Sequence, residues 1–145
     1  MASETWVNVS TGEVMTFSDG ETFVLLRTTD DCNWMTSGLS AVDFMVLMAA
    51  ACMINKSGYF SVSNGRREKM AKELNVTERS ISDSLRRMDE KDIITRVGGG
   101  EYLMNPGVIS RSHARLIPKR ISEYHGIRNN KKDGRKDKLH GFHNE

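Results

Sequence analysis

From Val42 to Ile54 the chain is apolar at nearly every position: Val42, Phe44, Met45, Val46, Leu47 and Met48, alanines at 49–51, then Met53 and Ile54. A helix apolar on almost every side is normally surrounded by protein, so this stretch predicts a central core helix. Ser40 is its N-cap, with Asp43 three residues on as a weaker form of the capping box. Lys56-Ser57-Gly58 ends it, and Tyr59, Phe60 and Val62 predict a short edge strand. Asn64 then caps a second helix through Leu74, with Met70, Ala71 and Leu74 inward and Val76 sealing the turn. Thr77 caps a third, favoured by Glu78 in its first turn. Here Ile81, Leu85 and Met88 recur at four and three residues, the spacing of one buried face. Asp92 stands where the chain leaves this helix, and Asp tolerates a left-handed turn better than most residues. Ile93–Val97, Gly98-Gly99-Gly100 and Glu101–Met104 predict a hairpin. Asn105-Pro106-Gly107 closes it, because proline cannot donate to a continuing ladder.

The flanks are less periodic. Trp6, Val7 and Val9, the turn Ser10-Thr11-Gly12-Glu13, and Val14, Met15 and Phe17 suggest a second hairpin. Asp19-Gly20 is another turn signal, and Phe23–Leu26 reads as a third strand or a helix start, since short apolar runs do not declare their period. After Val108-Ile109, the anchors Leu116, Ile117 and Ile121 suggest a helix over roughly 112–125, interrupted or started by Pro118. From Gly126 on, low apolar content predicts a disordered tail. No internal repeat is visible. The expected division is therefore a β-rich extension over 1–38, a central unit over 39–107, a C-terminal helix over 108–125 and a basic tail over 126–145.

Helix, strand, helix, turn, helix and a strand–glycine–strand hairpin is the order of a winged helix-turn-helix. The expected fold class is thus α+β: that unit, an N-terminal β-hairpin extension and a basic, partly disordered C-terminal tail. Two helices joined by a tight turn present the second one's polar face to a major groove, while the hairpin lies against the neighbouring backbone or minor groove. On this reading the DNA-contacting candidates on the recognition helix, 77–91, are Thr77, Arg79, Ser80, Ser82, Asp83 and Arg86. Arg79 is the foremost base reader, because its fork pairs with guanine O6 and N7. Thr77 serves twice, as cap and phosphate contact. Arg66, Arg67 and Lys69 are phosphate contacts at the start of the second helix. Arg96 borders the wing, 93–104, and Gly98, Gly99 and Gly100 form its bend. Plainer roles compete: Arg86, Arg87, Asp89, Glu90 and Lys91 fit a solvated helix face, Arg87 and Lys91 above all, Ser82 and Asp83 serve equally to keep a helix soluble, and any tight turn needs glycines such as these.

Charge adds direction. Residues 1–39 hold one base and six acids, 40–108 ten bases and nine acids, and 109–145 ten bases and four acids. An acidic end avoids a polyanion and a basic end seeks one, which suggests an oriented approach to nucleic acid. A solubilising tail explains the charge alone equally well.

The stretch from Phe23 to Pro106, over half the chain, resembles the plasmid replication proteins of the RepL type from Gram-positive bacteria. The likeness lies in the apolar helix ahead of REKMAKELNVTERSISDSLRRMDEKDIITRVGGGEYLMNP, above all in the ending GEYLMNP. In that family a Gly-rich wing runs through an aromatic residue into Asn-Pro, matched here by Gly100, Tyr102, Asn105 and Pro106. The portion MAKELNVTERSISDSL is shared with many bacterial regulators and is not specific. The chain departs by Asp92 where a glycine usually ends the third helix, and by three successive glycines in the wing. The resemblance implies recognition of a plasmid or phage replication origin, plasmid copy control and recruitment of host replication enzymes.

Other classes find little support. At 145 residues, 38% hydrophobic and 28% charged, the chain suits one small folded unit. No apolar run approaches the roughly eighteen residues of a membrane span. The first residues lack a signal peptide's basic start and apolar core, and Cys32 and Cys52 are too few for a disulfide scaffold, so a cytoplasmic protein is expected. No catalytic residue, cofactor or metal is expected. His113, His125, His140 and His143 lie in the C-terminal part without Cys or clustered carboxylates. Tyr59, Tyr102 and Tyr124 lack the metal-binding neighbourhood of a nicking tyrosine, with Tyr102 instead the wing's core anchor. Gly98–Gly100 lack the Lys and Ser/Thr of a nucleotide loop. The readings left are a sequence-specific duplex-DNA binder in replication, a transcriptional regulator on the same fold, and a winged helix used only for protein interaction. A palindromic site implies a homodimer, for which the N-terminal strands or 108–125 supply an interface.

Overall fold

The computed structural model describes residues 4–7, 9–10, 14–17, 24–26 and 38–143, with the backbone alone for 4–6, 14–17 and 132–143. The Asp19-Gly20 turn, Phe23 and Cys32 lie outside the described residues. Among the described residues the architecture is α+β, with four helices and small antiparallel sheets, compatible with a winged helix. β1 (Glu4–Val7) and β2 (Val14–Phe17) form the N-terminal hairpin in the register Trp6 opposite Met15. β3 (Leu25–Leu26) is a strand, and its partner is β7 (Ile109–Ser110), far along the chain.

α1 (Ala41–Met53) begins at Ser40, whose hydroxyl accepts the Asp43 amide while the Asp43 carboxylate accepts the Ser40 amide. Both halves of the capping box are present. No basic side chain lies in the last turn of α1; Arg111 instead donates through Nη2 to the carbonyls of Ala51 and Cys52, at 3.1 and 3.4 Å. A cation there complements the helix dipole and its orphan carbonyls. Val46, Leu47 and Ala50 are fully buried, but Ala41, Met45, Met48 and Cys52 form an exposed stripe among the described residues, so α1 meets the core on one side and is not surrounded as the apolar run predicts.

α2 (Asn64–Leu74) is capped by Ser63, one residue before the expected Asn64, with the Ser63 hydroxyl accepting the Arg66 amide. α3 (Glu78–Glu90) is capped by Thr77 as expected, and buries Ile81, Leu85 and Met88 together with Ser84. Burying each of these three large apolar side chains stabilises the fold by about 1.5–3 kcal/mol before entropic costs. Both helices end in the same way. Asn75 (φ 54°) and Asp92 (φ 62°) are left-handed, and the next amides, Val76 and Ile93, reach back to the carbonyls of Ala71 and Met88. This Schellman closure reverses the chain within a residue or two and so sets α3 tightly against α2.

The hairpin is β5 (Ile94–Gly98) and β6 (Glu101–Met104), joined in one sheet with β4 (Tyr59–Ser61) in the order β4-β6-β5. Tyr102 is buried and stacks on Phe60 with ring centroids 5.4 Å apart, so it does anchor this sheet to the core. At the hairpin base the Asn105 side chain donates to the Asp92 carbonyl and accepts the Gly107 amide. Of the three turn glycines only Gly100 needs to be glycine. Its φ is +76°, and a Cβ there would stand 3.0 Å from the Val62 carbonyl, whereas Gly98 and Gly99 face open space.

The C-terminal part departs most from expectation. A 3-10 turn (Ala114–Leu116) leads into α4 (Ile117–His143), which Pro118 starts rather than interrupts and which runs on through Gly126. Proline is tolerated in a first turn, where its missing amide has no partner to lose. Of the expected apolar anchors Leu116 is exposed and Ile117 and Ile121 are only partly covered; among the residues of this helix whose side chains are described, Tyr124 and Arg128 are the buried ones. The polar bonds of Arg128 hold the helix just beyond residue 125. No helix among the described residues is long and apolar enough to cross a membrane.

Candidate nucleic-acid interface

α3 offers its outer face to solvent because Ile81, Leu85 and Met88 hold its opposite face in the core. Arg79, Asp83 and Arg86 follow at the spacing of one stripe on that face. Asp83 pairs with Arg79 at 4.0 Å and with Arg86 at 3.6 Å, and the Arg79 side chain is 91% exposed. Ion pairs this exposed contribute at most about 1 kcal/mol, so both arginines exchange them readily for an outside partner.

The hydroxyls are more committed. Thr77 Oγ1 accepts the Ser80 amide, and Ser80 Oγ lies 2.9 Å from it, so these two residues serve the cap and each other. Ser82 Oγ donates to the Glu78 carbonyl at 3.3 Å. In α2, Lys69 pairs with Glu73 at 3.9 Å on an exposed face, and Arg66 is exposed.

Arg67, Arg86 and Arg96 line one cleft of about 710 Å³ between α3, the β5–β6 hairpin and α4. Of the other predicted contacts Ser82, Asp83 and Gly100 share this cleft; Arg66, Lys69, Thr77, Arg79, Ser80, Gly98 and Gly99 do not. Arg128 and Lys131 of α4 bring its cations to five, against the carboxylates of Asp83, Asp89 and Glu90. Among the described residues neither Arg67 nor Arg96 is in an ion pair; Arg96 Nε donates to the Gly98 carbonyl, and Arg67 Nε is buried with no hydrogen-bond partner.

Two networks fix these walls, and the sequence pattern announces neither. Arg87, which fits a solvated face by sequence, turns back to Asp43 of α1 instead, Nη2 to Oδ1 at 2.8 Å, while Ser84 Oγ donates to the same oxygen at 2.6 Å. Burial alone raises the Asp43 pKa, but the bonds from Arg87, Ser84 and the Ser40 amide outweigh it and hold the carboxyl at about 2. The second network pins α4. Arg128 donates to Asp89 Oδ1, the Asp89 carbonyl, the Ile94 carbonyl and Thr95 Oγ1, and its Nε lies 3.1 Å from Asp92 Oδ1. The Tyr124 hydroxyl donates to Asp92 Oδ1 and accepts from Thr95 Oγ1, both at 2.9 Å. Burial is the foremost reason its pKa is pushed above the ordinary phenol value. Tyr124 and Arg128 are four residues apart, a spacing that a helix through 126 would have revealed.

No group of three or more His, Cys, Asp or Glu side chains among the described residues is placed to hold a metal ion, and the side chains of His140 and His143 lie outside them. In comparisons with known proteins, the chain matches no family model, no curated protein and no solved structure.

Proposed function

We propose that this chain is a winged helix-turn-helix protein that binds duplex DNA with sequence preference, in the initiation of plasmid or phage replication. α3 enters the major groove, Arg79 reads guanine, and Asp83 and Arg86 face neighbouring positions; a carboxylate among arginines suits a cytosine amino group beside guanines. The β5–β6 hairpin is the wing and lies along the adjacent backbone. One observation carries the reading: α3, the hairpin, α2 and α4 all send cations to a single cleft beside the outer face of α3. The distribution of exposed apolar side chains supports DNA over a protein partner. Among the described residues, the large ones lie elsewhere, Met45 and Met48 of α1 among them, and none is on α3 or the hairpin.

The replication role rests on the RepL-like run from Gly100 to Pro106, and a transcriptional regulator would use the same surface. Hydroxyl-radical footprinting on the protein's own replicon separates them. Protection over an iterated or palindromic origin supports initiation, protection confined to a promoter supports regulation, and an unprotected replicon refutes sequence-specific binding.

A further inference from the structure

The cleft has a more definite chemistry than a general attraction to DNA. Three arginines line it from three elements, Arg67 from α2, Arg86 from α3 and Arg96 from β5. Arg67 keeps a buried Nε without a hydrogen-bond partner, a state that costs stability unless something supplies an acceptor. Two of the nearby carboxylates are engaged, Asp89 with Arg128 at 3.1 Å and Asp83 with Arg79 and Arg86. Glu90 is exposed and is in no ion pair among the described residues. The fourth wall is α4, held by the buried Arg128, with Lys131 one turn further on.

We propose that this cleft is a phosphate-binding site, closed on one side by α4, and that its occupant is a phosphodiester of the bound duplex. The site rests on the DNA-binding reading for its occupant but not for its chemistry. Guanidinium forks match the oxygens of a phosphate better than those of any neutral group, and three arginines line this one cleft. A seated phosphate competes with the exposed Arg86–Asp83 contact. α4 is thereby a wall of the interface, beside α2, the recognition helix and the wing, and Glu90 opposes the ligand.

The test uses the full chain, labelled for amide NMR and titrated separately with inorganic pyrophosphate and with duplex DNA. Pyrophosphate should saturate and move the amides of Arg67, Arg86, Arg96, Gly100 and Lys131 together. Arg67→Gln should weaken it about ten-fold, while the surface change Glu90→Gln should strengthen it, an opposite sign that no general loss of folding produces. With duplex, Arg67→Gln should reduce the salt slope by about one. Diffuse, unsaturable shifts, or the same pyrophosphate affinity in all three proteins, would overturn the site. Saturable pyrophosphate binding with an unchanged duplex salt slope would overturn the phosphodiester as occupant and make a free phosphate compound the ligand. A cleft that takes pyrophosphate in a protein that binds no duplex would sustain the site and overturn the DNA-binding reading.

Discussion

Asp43 in α1 and Arg87 in α3 meet at 2.8 Å, joining the core helix to the inner edge of the helix that faces DNA in this account. Asp43 is 1% exposed and Arg87 38%, so the carboxylate is the partner whose loss is felt. Its pKa of about 2 lies below the ordinary 3.8. Its contribution is therefore complete above about pH 4 and is lost as pH falls from there towards 2. Nearly two pKa units correspond to about 2 kcal/mol. Asp43→Asn should lose about that much stability at neutral pH and flatten the acid limb of a urea-unfolding series taken between pH 5 and 2.5. Identical acid limbs in the two proteins would show that the pair does not couple to folding.

The two left-handed helix ends should respond oppositely to glycine. Asn75 has φ 54° and only its backbone closes α2, so Asn75→Gly should be neutral or stabilising by up to about 1 kcal/mol. Asp92 has φ 62°, and its carboxylate takes Tyr124 and Arg128. Asp92→Gly should cost about 1–3 kcal/mol despite the relieved backbone, because the buried Arg128 loses one of its two carboxylate partners. Denaturant midpoints decide, and stabilisation by both substitutions would contradict the assigned role of Asp92.

At the hairpin tip the prediction is positional. Gly100→Ala meets both a positive φ and a carbonyl 3.0 Å away, and should cost more than about 1 kcal/mol. Gly99→Ala meets open space and should leave thermal stability within about 0.5 kcal/mol of the parent. Equal losses at both positions would mean that the hairpin turn differs from the one described.

The role of α4 is tested by where the chain is cut. Ending it after residue 131 keeps Tyr124, Arg128 and Lys131, and should change stability by less than about 0.5 kcal/mol. Ending it after residue 125 removes Arg128 and leaves Asp89 and Asp92 without their buried cation, at a cost of about 2–4 kcal/mol. If both truncations unfold at the same denaturant concentration, α4 is a loose tail after all.

Local chemistry was legible in the sequence wherever period and cap agree. Ile81, Leu85 and Met88 announce the buried face of α3, and Ser40 with Asp43 and Thr77 with Glu78 announce the helix starts, because these signals lie within one turn. The pairing of β3 with β7 was not legible, since two-residue strands some eighty positions apart leave no period to read. Nor was the clamp at Arg128. Its partners Asp89, Asp92 and Thr95 lie far back in the chain, and a stretch rich in Asn and Lys has the composition of a free tail. Arg87 misled for a related reason: polar residues next to an outward stripe look solvated, and only the tertiary position of Asp43 turns this one inward. Within the candidate site, the sequence supplied Arg67 as a phosphate contact, Arg86 on the recognition helix and Arg96 at the border of the wing, each separately. The fold supplies their meeting in one cleft and the helix that closes it.

The most direct measurement is a titration of the protein and of Arg79→Ala against short duplexes tiled across its own replicon, with a scrambled duplex, over several salt concentrations. One strongly preferred duplex is expected for the parent protein, with affinity falling steeply as salt rises. Arg79→Ala should lose about 1–3 kcal/mol on that duplex and much less on the scrambled one. Uniform weak binding that vanishes with salt, or equal losses on both duplexes, would contradict sequence reading by α3.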